Sequence, residues 1–327
     1  MRTTTAKLAV PPMKTSLLAA LALLASTASL FAAEVLIDRP ADFARCVAPD
    51  VTVKKLAGDL GFIEGPVWNK DGHFLVFSDI PNDEIKRWSA SGGVTTFRKP
   101  SQNANGNTLD LAGRLLSCEH SGRRVARLEK DGSLQTVVDS FEGKKLNSPN
   151  DVVVQSNGWI WFTDPEYGLK NKPGSKEKAD KQQAGNYVYR HDPKTGATTA
   201  VVRDFVQPNG LAFSPDEKKL YIADSGTPRH IRVFDVSSSG ALSNGRVFCT
   251  IDQGGPDGIR VDRDGRVWSS AGDGVHVFAA DGTRLGKILV PESPANLCFG
   301  GDDGKTLFIT ARKSLYSVPV KVTGAAR

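Results

Sequence analysis

Three strand entries in the sequence carry the same chemistry. "SPNDVVV" at 148–154, "QPNGLAF" from Gln207 and "GPDGIRV" from Gly255 each set a Pro, then a short oxygen-bearing side chain, then Gly or Asp, ahead of an apolar run. The oxygen bearers are Asn150, Asn209 and Asp257, and "IEGPVW" puts Glu64 at the same offset from its own apolar run. Two carboxylates and two carboxamides facing one point would be costly to bury without a partner. A hard divalent cation satisfies such a set, and Ca2+ suits it best, because it takes carboxylate and carbonyl oxygens with water completing the shell. The set contains no His or Cys, which disfavours softer metals. A single Pro-Asn-Gly or Pro-Asp-Gly reads as a turn. The case for a site rests on recurrence at one phase of a repeat.

That repeat is an apolar strand, an Asp/Asn/Gly turn and a second apolar strand. It occurs six times: "GPVWNKDGHFLVFSD", "GNTLDLAGRLLSCEH", "NDVVVQSNGWIWFTD", "NGLAFSPDEKKLYIAD", "DGIRVDRDGRVWSSA" and "ANLCFGGDDGKTLFITA". With Gly65, Gly106, Asp151, Gly210, Gly258 and Asn296 as equivalent points, the steps are 41, 45, 59, 48 and 38 residues. The longest step holds "LKNKPGSKEKADKQQAG", an insertion within the third unit. A third strand and usually a fourth follow each pair, and four strands in about 40–45 residues is the period of a propeller blade. The sixth unit stops after its third strand, "SLYSVPVKV", which leaves "VTVKKLAGD" at 51–59 to supply the outer one. Closing the ring in this way removes a free sheet edge.

The sequence therefore predicts an all-β, six-bladed β-propeller over 51–322, closed by N- and C-terminal strands, with a lead-in at 34–50 and a tail at 323–327. The first strand of each blade would line the central channel, so Glu64, Asn150, Asn209 and Asp257 would converge at one mouth. The glycines after Asn209 and Asp257 are expected to leave room for a substrate, and Asp151 to orient Asn150. Asp71-Gly72, Asp131-Gly132, Asp264-Gly265 and Asp281-Gly282 fall on the opposite phase and read as hairpin turns.

Residues 1–33 carry Arg2, Lys7 and Lys14, no acid, and an apolar core, the pattern of a secretory signal with Ser26-Thr27-Ala28 as its small-x-small cleavage site. This predicts an exported protein, periplasmic or secreted, with no membrane insertion after cleavage; the competing reading is an uncleaved anchor over 16–33. Removing those three basic residues lowers the formal charge from +6 to +3, which gives no case for nucleic acid. The lysines at 170, 172, 176, 178 and 181 are diluted by Glu177 and Asp180 and lack interleaved aromatics. Cys46, Cys118, Cys249 and Cys298 lie far apart without a C-x-x-C spacing and are expected to be buried free thiols.

At these residues the sequence resembles the family of senescence marker protein, gluconolactonases and luciferin-regenerating enzyme. The likeness runs in order from about Val51 through "EGPVW", "LNSPNDVVV", "FTDPEYG", "PNGLAFSPDEKKLYIADS", "GPDGIRVDRDGRVW" and "CFGG". "GRLLSCEHSGRRVARLEKDG" with "LNSPNDVV" is similar to the bacterial gluconolactonase-like branch. The resemblance implies a six-bladed propeller with one catalytic divalent metal, usually calcium, in its channel. By position it puts the metal ligands on Glu64, Asn150, Asn209 and Asp257, and the acid/base carboxylate on Asp257. The sequence departs at Ser148, where the animal lactonase has a substrate-binding Arg, and this leaves the particular sugar acid open.

The implied reaction is hydrolysis of an aldonolactone such as glucono-1,5-lactone, the metal polarising the carbonyl and Asp257 taking a proton from water. Asn105 ("NGNTLD") would complete the ring and bind sugar hydroxyls. His120 ("SCEH") would protonate the leaving oxygen or hold the substrate, and Tyr167 ("TDPEYG") would form an apolar wall. A turn, a surface histidine and simple packing are their plainer alternatives. The G-x-S-x-G elbow of serine esterases is missing from the sequence. A phosphotriesterase or other lactone or ester hydrolase on the same propeller, and a non-catalytic metal-binding propeller, stand as rival readings.

Overall fold

Strands of alternating and fully apolar residues, joined by short Gly- and Asp-containing turns, pair antiparallel with their sequence neighbours. The computed structural model describes Met1 and residues 30–32, 35–169 and 180–325. Among the described residues the six repeat units form six antiparallel sheets of four or five strands, together with one two-stranded ribbon. Blade one runs outward through Ile63–Asn69, Phe74–Asp79, Glu84–Ser89 and Gly93–Arg98. Blades two to five begin at Ala104–Leu109, Val152–Val154, Pro208–Phe213 and Ile259–Val261. Blade six has Pro294–Gly300, Thr306–Ala311 and Ser314–Pro319, and Thr52–Ala57 supplies its outer strand, with Tyr316 opposite Lys55. The chain is thus an all-β six-bladed propeller closed by strands from both ends, as the sequence predicts.

Buried side chains cluster between neighbouring blades. Trp161 of blade three packs with Leu211 and Ile222 of blade four, and Phe162 and Tyr189 of blade three pack with Leu116 and Cys118 of blade two. Each such fully buried large side chain stabilises the fold by roughly 1.5–3 kcal/mol. All four cysteines are free and buried in these layers.

The lead-in does more than connect. Val35–Ile37 adds a fifth strand to blade five, pairing Val35 with Ile288. A single helical turn, Pro40–Phe43, then buries Phe43. Phe43, Cys46 and Val47 join the cluster between blades five and six with Trp268 and Tyr316. The segment read as a signal lies outside the described residues except for Met1 and the strand Leu30–Ala32, whose backbone pairs with Thr52–Lys54 beyond blade six. The lysine-rich stretch at 170–179 also lies outside them. No helix among the described residues is long and apolar enough to cross a membrane.

Candidate active site

In blades one, three and four the entry into the inner strand is fixed by a buried acid at the end of the next strand. Asp224 accepts the backbone N–H groups of Val206 and Gln207 at 3.0 and 2.9 Å. Asp79 accepts from Gly61 at 3.2 Å, and Asp164 from Asn147 at 2.8 Å. These are the terminal acids of the quoted repeat units. Their recurrence was the sequence signal for this role, which sequence reasoning left unassigned.

Glu64, Asn105 and Asn209 sit inside their inner strands, whereas Asn150 and Asp257 lie two residues before the start of theirs. In blades one, two and four the ladder shifts register at this point, between Glu64 and Val67, Ala104 and Asn107, and Pro208 and Leu211. A bulge re-aims the local side chain out of the ladder, and in these three blades it falls at the polar ring residue. Blade six offers the apolar Ala295 at the equivalent place, where its carbonyl accepts the Gly258 N–H at 2.8 Å.

The glycines after Glu64, Asn105, Asn209 and Asp257 answer to the next blade. A Cβ on Gly210 would lie 2.4 Å from the Asp257 carbonyl oxygen, and one on Gly258 would lie 2.1 Å from the Asn296 side chain. The gap instead lets blades hydrogen-bond: Gly106 N–H donates to Asn150 O at 2.7 Å, and Gly210 N–H to Asp257 O at 3.1 Å. In this second layer only blades three and six carry side chains, Asp151 and Asn296. Asp151 does not orient Asn150, as the sequence suggested. Its Oδ1 accepts the Val152 N–H at 2.9 Å. Its Oδ2 meets Asn296 Nδ2 at 3.4 Å and the Arg260 guanidinium at 3.6 Å. Charge and hydrogen bonding thus draw Asp151 across the channel toward blades five and six. Arg260 and Asn296 were not foreseen in this role.

Three acceptor oxygens in the ring are buried without a partner: Asn105 Oδ1, Asn209 Oδ1 and Asp257 Oδ1. Each such atom carries a desolvation cost. Glu64 is buried and accepts its neighbour Gly65 N–H at 2.8 Å. Burial, reinforced by Asp151, pushes its carboxyl up to about 7. The residue surface of Asp257 is part-exposed at the mouth, but its Oδ1 is sealed. Burial first, then the negative Glu64 and Asp151, hold its carboxyl well above the usual range, against a hydrogen bond from Asn209 and the charge of Arg312. Two carboxyls that resist ionising together, beside empty-handed amide oxygens, are a donor set that fits a hard cation. Among the described residues no three His, Cys, Asp or Glu side chains gather to hold a metal; the candidate set here is half carboxamide.

Asn150 is buried, with its N–H on Thr163 O at 2.8 Å. Asn105 Nδ2 and His120 Nε2 lie 3.2 Å apart, and burial lowers the imidazole to about 4. A neutral His120 with this partner backs Asn105. Tyr167 stands half-exposed on the short 3-10 turn Tyr167–Leu169. Burial and the Asp257 charge push its phenol up to about 12, opposed by hydrogen bonding with Ser225 and Asn209, so its hydroxyl lies beside the ring. Ser148 holds that turn, donating to Pro165 O at 2.7 Å and accepting from Gly168 N–H at 2.9 Å. A Cβ on Gly168 would come within 2.7 Å of both His120 and Ser148. A separate cavity of about 750 Å3 opens at the other end of the inner strands, lined by Trp68, Leu109, Val154, Phe213 and Phe299 with Arg260 at its inner end. It holds none of the ring residues.

The family profile described as SMP-30/Gluconolactonase/LRE-like region matches residues 62–313. The chain is 34% identical over 296 residues to the gluconolactonase of Zymomonas mobilis, covering 83% of this chain and 82% of that one. A pentonolactonase of Haloferax volcanii is 30% identical over 257 residues, 76% of this chain and 80% of the relative. Among solved structures, a gluconolactonase of Xanthomonas campestris superposes with a TM-score of 0.83 at 36% identity, over 89% of this chain and 97% of that one.

Proposed function

This chain belongs to the SMP-30/gluconolactonase/LRE-like family, and from that membership and the ring geometry we propose that it hydrolyses aldonolactones such as glucono-1,5-lactone. The observation that carries the proposal is the trio of buried, partnerless oxygens on Asn105, Asn209 and Asp257. Glu64, Asn150, Asn209 and Asp257 would hold one divalent cation, calcium by the hardness of their oxygens. When bound, that cation would polarise the lactone carbonyl and favour negative charge on its oxygen.

The chain's own residues supply the rest. Asp257 accepts a proton from the attacking water as the new C–O bond forms. It returns that proton to the ring oxygen as the lactone C–O bond breaks, so the product is the open hydroxy acid. His120 is a poor candidate for this acid, because burial keeps it neutral near pH 7; its place behind Asn105 favours positioning. The Asn105 side-chain oxygen and the Tyr167 hydroxyl would bind the sugar hydroxyls. Ser148, with both hydrogen-bonding capacities committed to the turn, braces Tyr167 and leaves substrate selection to others.

A pH-stat assay on glucono-1,5-lactone tests the proposal. Acid release above the spontaneous rate should require Ca2+, stop with EDTA and return when Ca2+ is restored. Release unaffected by calcium, or activity confined to phosphoesters, would defeat it. The N-terminal segment adds export to the proposal, and N-terminal sequencing of the mature protein should begin soon after Ala28.

A further inference from the structure

We infer that Ser225 is a positioning residue that fixes the Asn209 carboxamide with its oxygen toward the channel, and so sets the affinity of the ring for a divalent cation. The inference rests on the cation-binding reading of the ring. Ser225 follows the second strand of blade four, Lys219–Asp224, and its backbone N–H donates to Gln207 O at 3.0 Å. Its Oγ lies 2.5 Å from the Pro256 carbonyl oxygen and 2.9 Å from Asn209 Nδ2.

A carboxamide can be turned over without changing its shape, so its orientation must be argued from its partners. Here the partners decide it. A carbonyl oxygen only accepts, and a serine hydroxyl has one proton to give. The Ser225 proton is therefore committed to Pro256, and only lone pairs remain for Asn209. The group of Asn209 that meets them must be the NH2. The reversed amide would set oxygen against oxygen at Ser225 and aim two N–H donors at the place a cation would occupy. The outcome is the buried Asn209 Oδ1 without a partner.

The same hydroxyl also joins two blades. Pro256 immediately precedes Asp257, whose carbonyl accepts the Gly210 N–H at 3.1 Å. Asn209 and Asp257, ring residues on neighbouring blades, are thus tied through Ser225 to Pro256 and through Gly210 to Asp257, besides the hydrogen bond that the Asp257 carboxyl takes from Asn209. Asn105 has no comparably decisive partner, because a histidine nitrogen can donate or accept.

Calorimetric titration with CaCl2 alone tests this on four full-length proteins: wild type, Ser225→Ala, Asn209→Asp and the double variant. Loss of a partner that orients a ligand typically weakens metal binding about 10–100-fold. Ser225→Ala should show that loss with Asn209 in place. With Asn209→Asp the ligand's two oxygens are equivalent, there is no amide to orient, and adding Ser225→Ala should cost under about 3-fold. An equal loss in both backgrounds would overturn the inference and leave Ser225 a loop brace, as would no loss in either. A wild type that binds no calcium would instead defeat the ring reading, and this inference with it. Thermal midpoints of the four proteins, expected within a few degrees, separate these outcomes from failure to fold.

Discussion

Two glycines in blade one give a controlled test of how the ring is built. Gly65 and Gly93 both adopt left-handed backbone, at φ of +53 and +61. Alanine in that region costs about 1–2 kcal/mol at either site. The surroundings differ completely. At Gly93 an added Cβ meets nothing within 4 Å, whereas at Gly65 it would lie 2.1 Å from the Asn105 carbonyl oxygen and 2.7 Å from Gly106 Cα. Those atoms are backbone of blade two and cannot rotate aside, so overpacking adds about 1–3 kcal/mol. Gly93→Ala should therefore cost about 1–2 kcal/mol and Gly65→Ala about 2–5. For a chain of 327 residues each kcal/mol moves the thermal midpoint by roughly 1.5 °C, and scanning calorimetry resolves the difference. Gly65→Ala should also weaken calcium binding, because the Gly65 N–H holds the Glu64 carboxylate at 2.8 Å and must move when the blades separate. Equal midpoints for the two variants, with calcium binding intact in both, would refute the claim that direct blade-to-blade backbone contact sets the ring.

Three further outcomes follow from the protonation states. Asp257→Asn should lower lactone turnover by about 10²–10⁴-fold while leaving the calcium-free thermal midpoint unchanged or higher, since without a cation its carboxyl is held toward the neutral form; near-normal turnover in a progress-curve assay would remove Asp257 as the base. His120→Gln should leave the shape of kcat/KM against pH unchanged between pH 5 and 8, because the imidazole is pushed down to about 4; a limb that disappears in the variant would make His120 the acid after all. Burial raises the Asp164 carboxyl to about 7, so the folded chain binds this proton more tightly than the unfolded one. Its contribution to stability then falls as pH rises from about 4 to about 7, by up to about 1.4 kcal/mol per pH unit. Asp164→Asn should flatten that part of the urea-midpoint profile, and parallel profiles for the two proteins would show that Asp164 is ionised in the fold.

What the sequence made legible was position along a blade. A repeat of strand, turn and strand fixes the phase of every residue within its unit, and phase is enough to put Glu64, Asn105, Asn150, Asn209 and Asp257 at or just before the inner strands of their blades. It also placed Thr52–Ala57 on blade six, because an incomplete unit leaves one strand unpaired. What stayed hidden was everything that passes between blades. The motif "PNG" reads the same whether its glycine yields space to a ligand or to a neighbouring backbone; only the 2.4 Å approach of Asp257 O to a Cβ on Gly210 decides it. Asp151 likewise sits beside Asn150 in sequence, but its charge is drawn across the channel to Arg260, over a hundred residues later. The lead-in escaped for a related reason: Phe43, Cys46 and Val47 follow no strand period, since they fill a groove whose shape is set by blades five and six. A periodic pattern records contacts made within the repeating unit. On our proposal the orientation of Asn209 depends on Ser225 and Pro256, one from its own blade and one from the next, so the step that would make the ring a cation site is one the repeat could not encode.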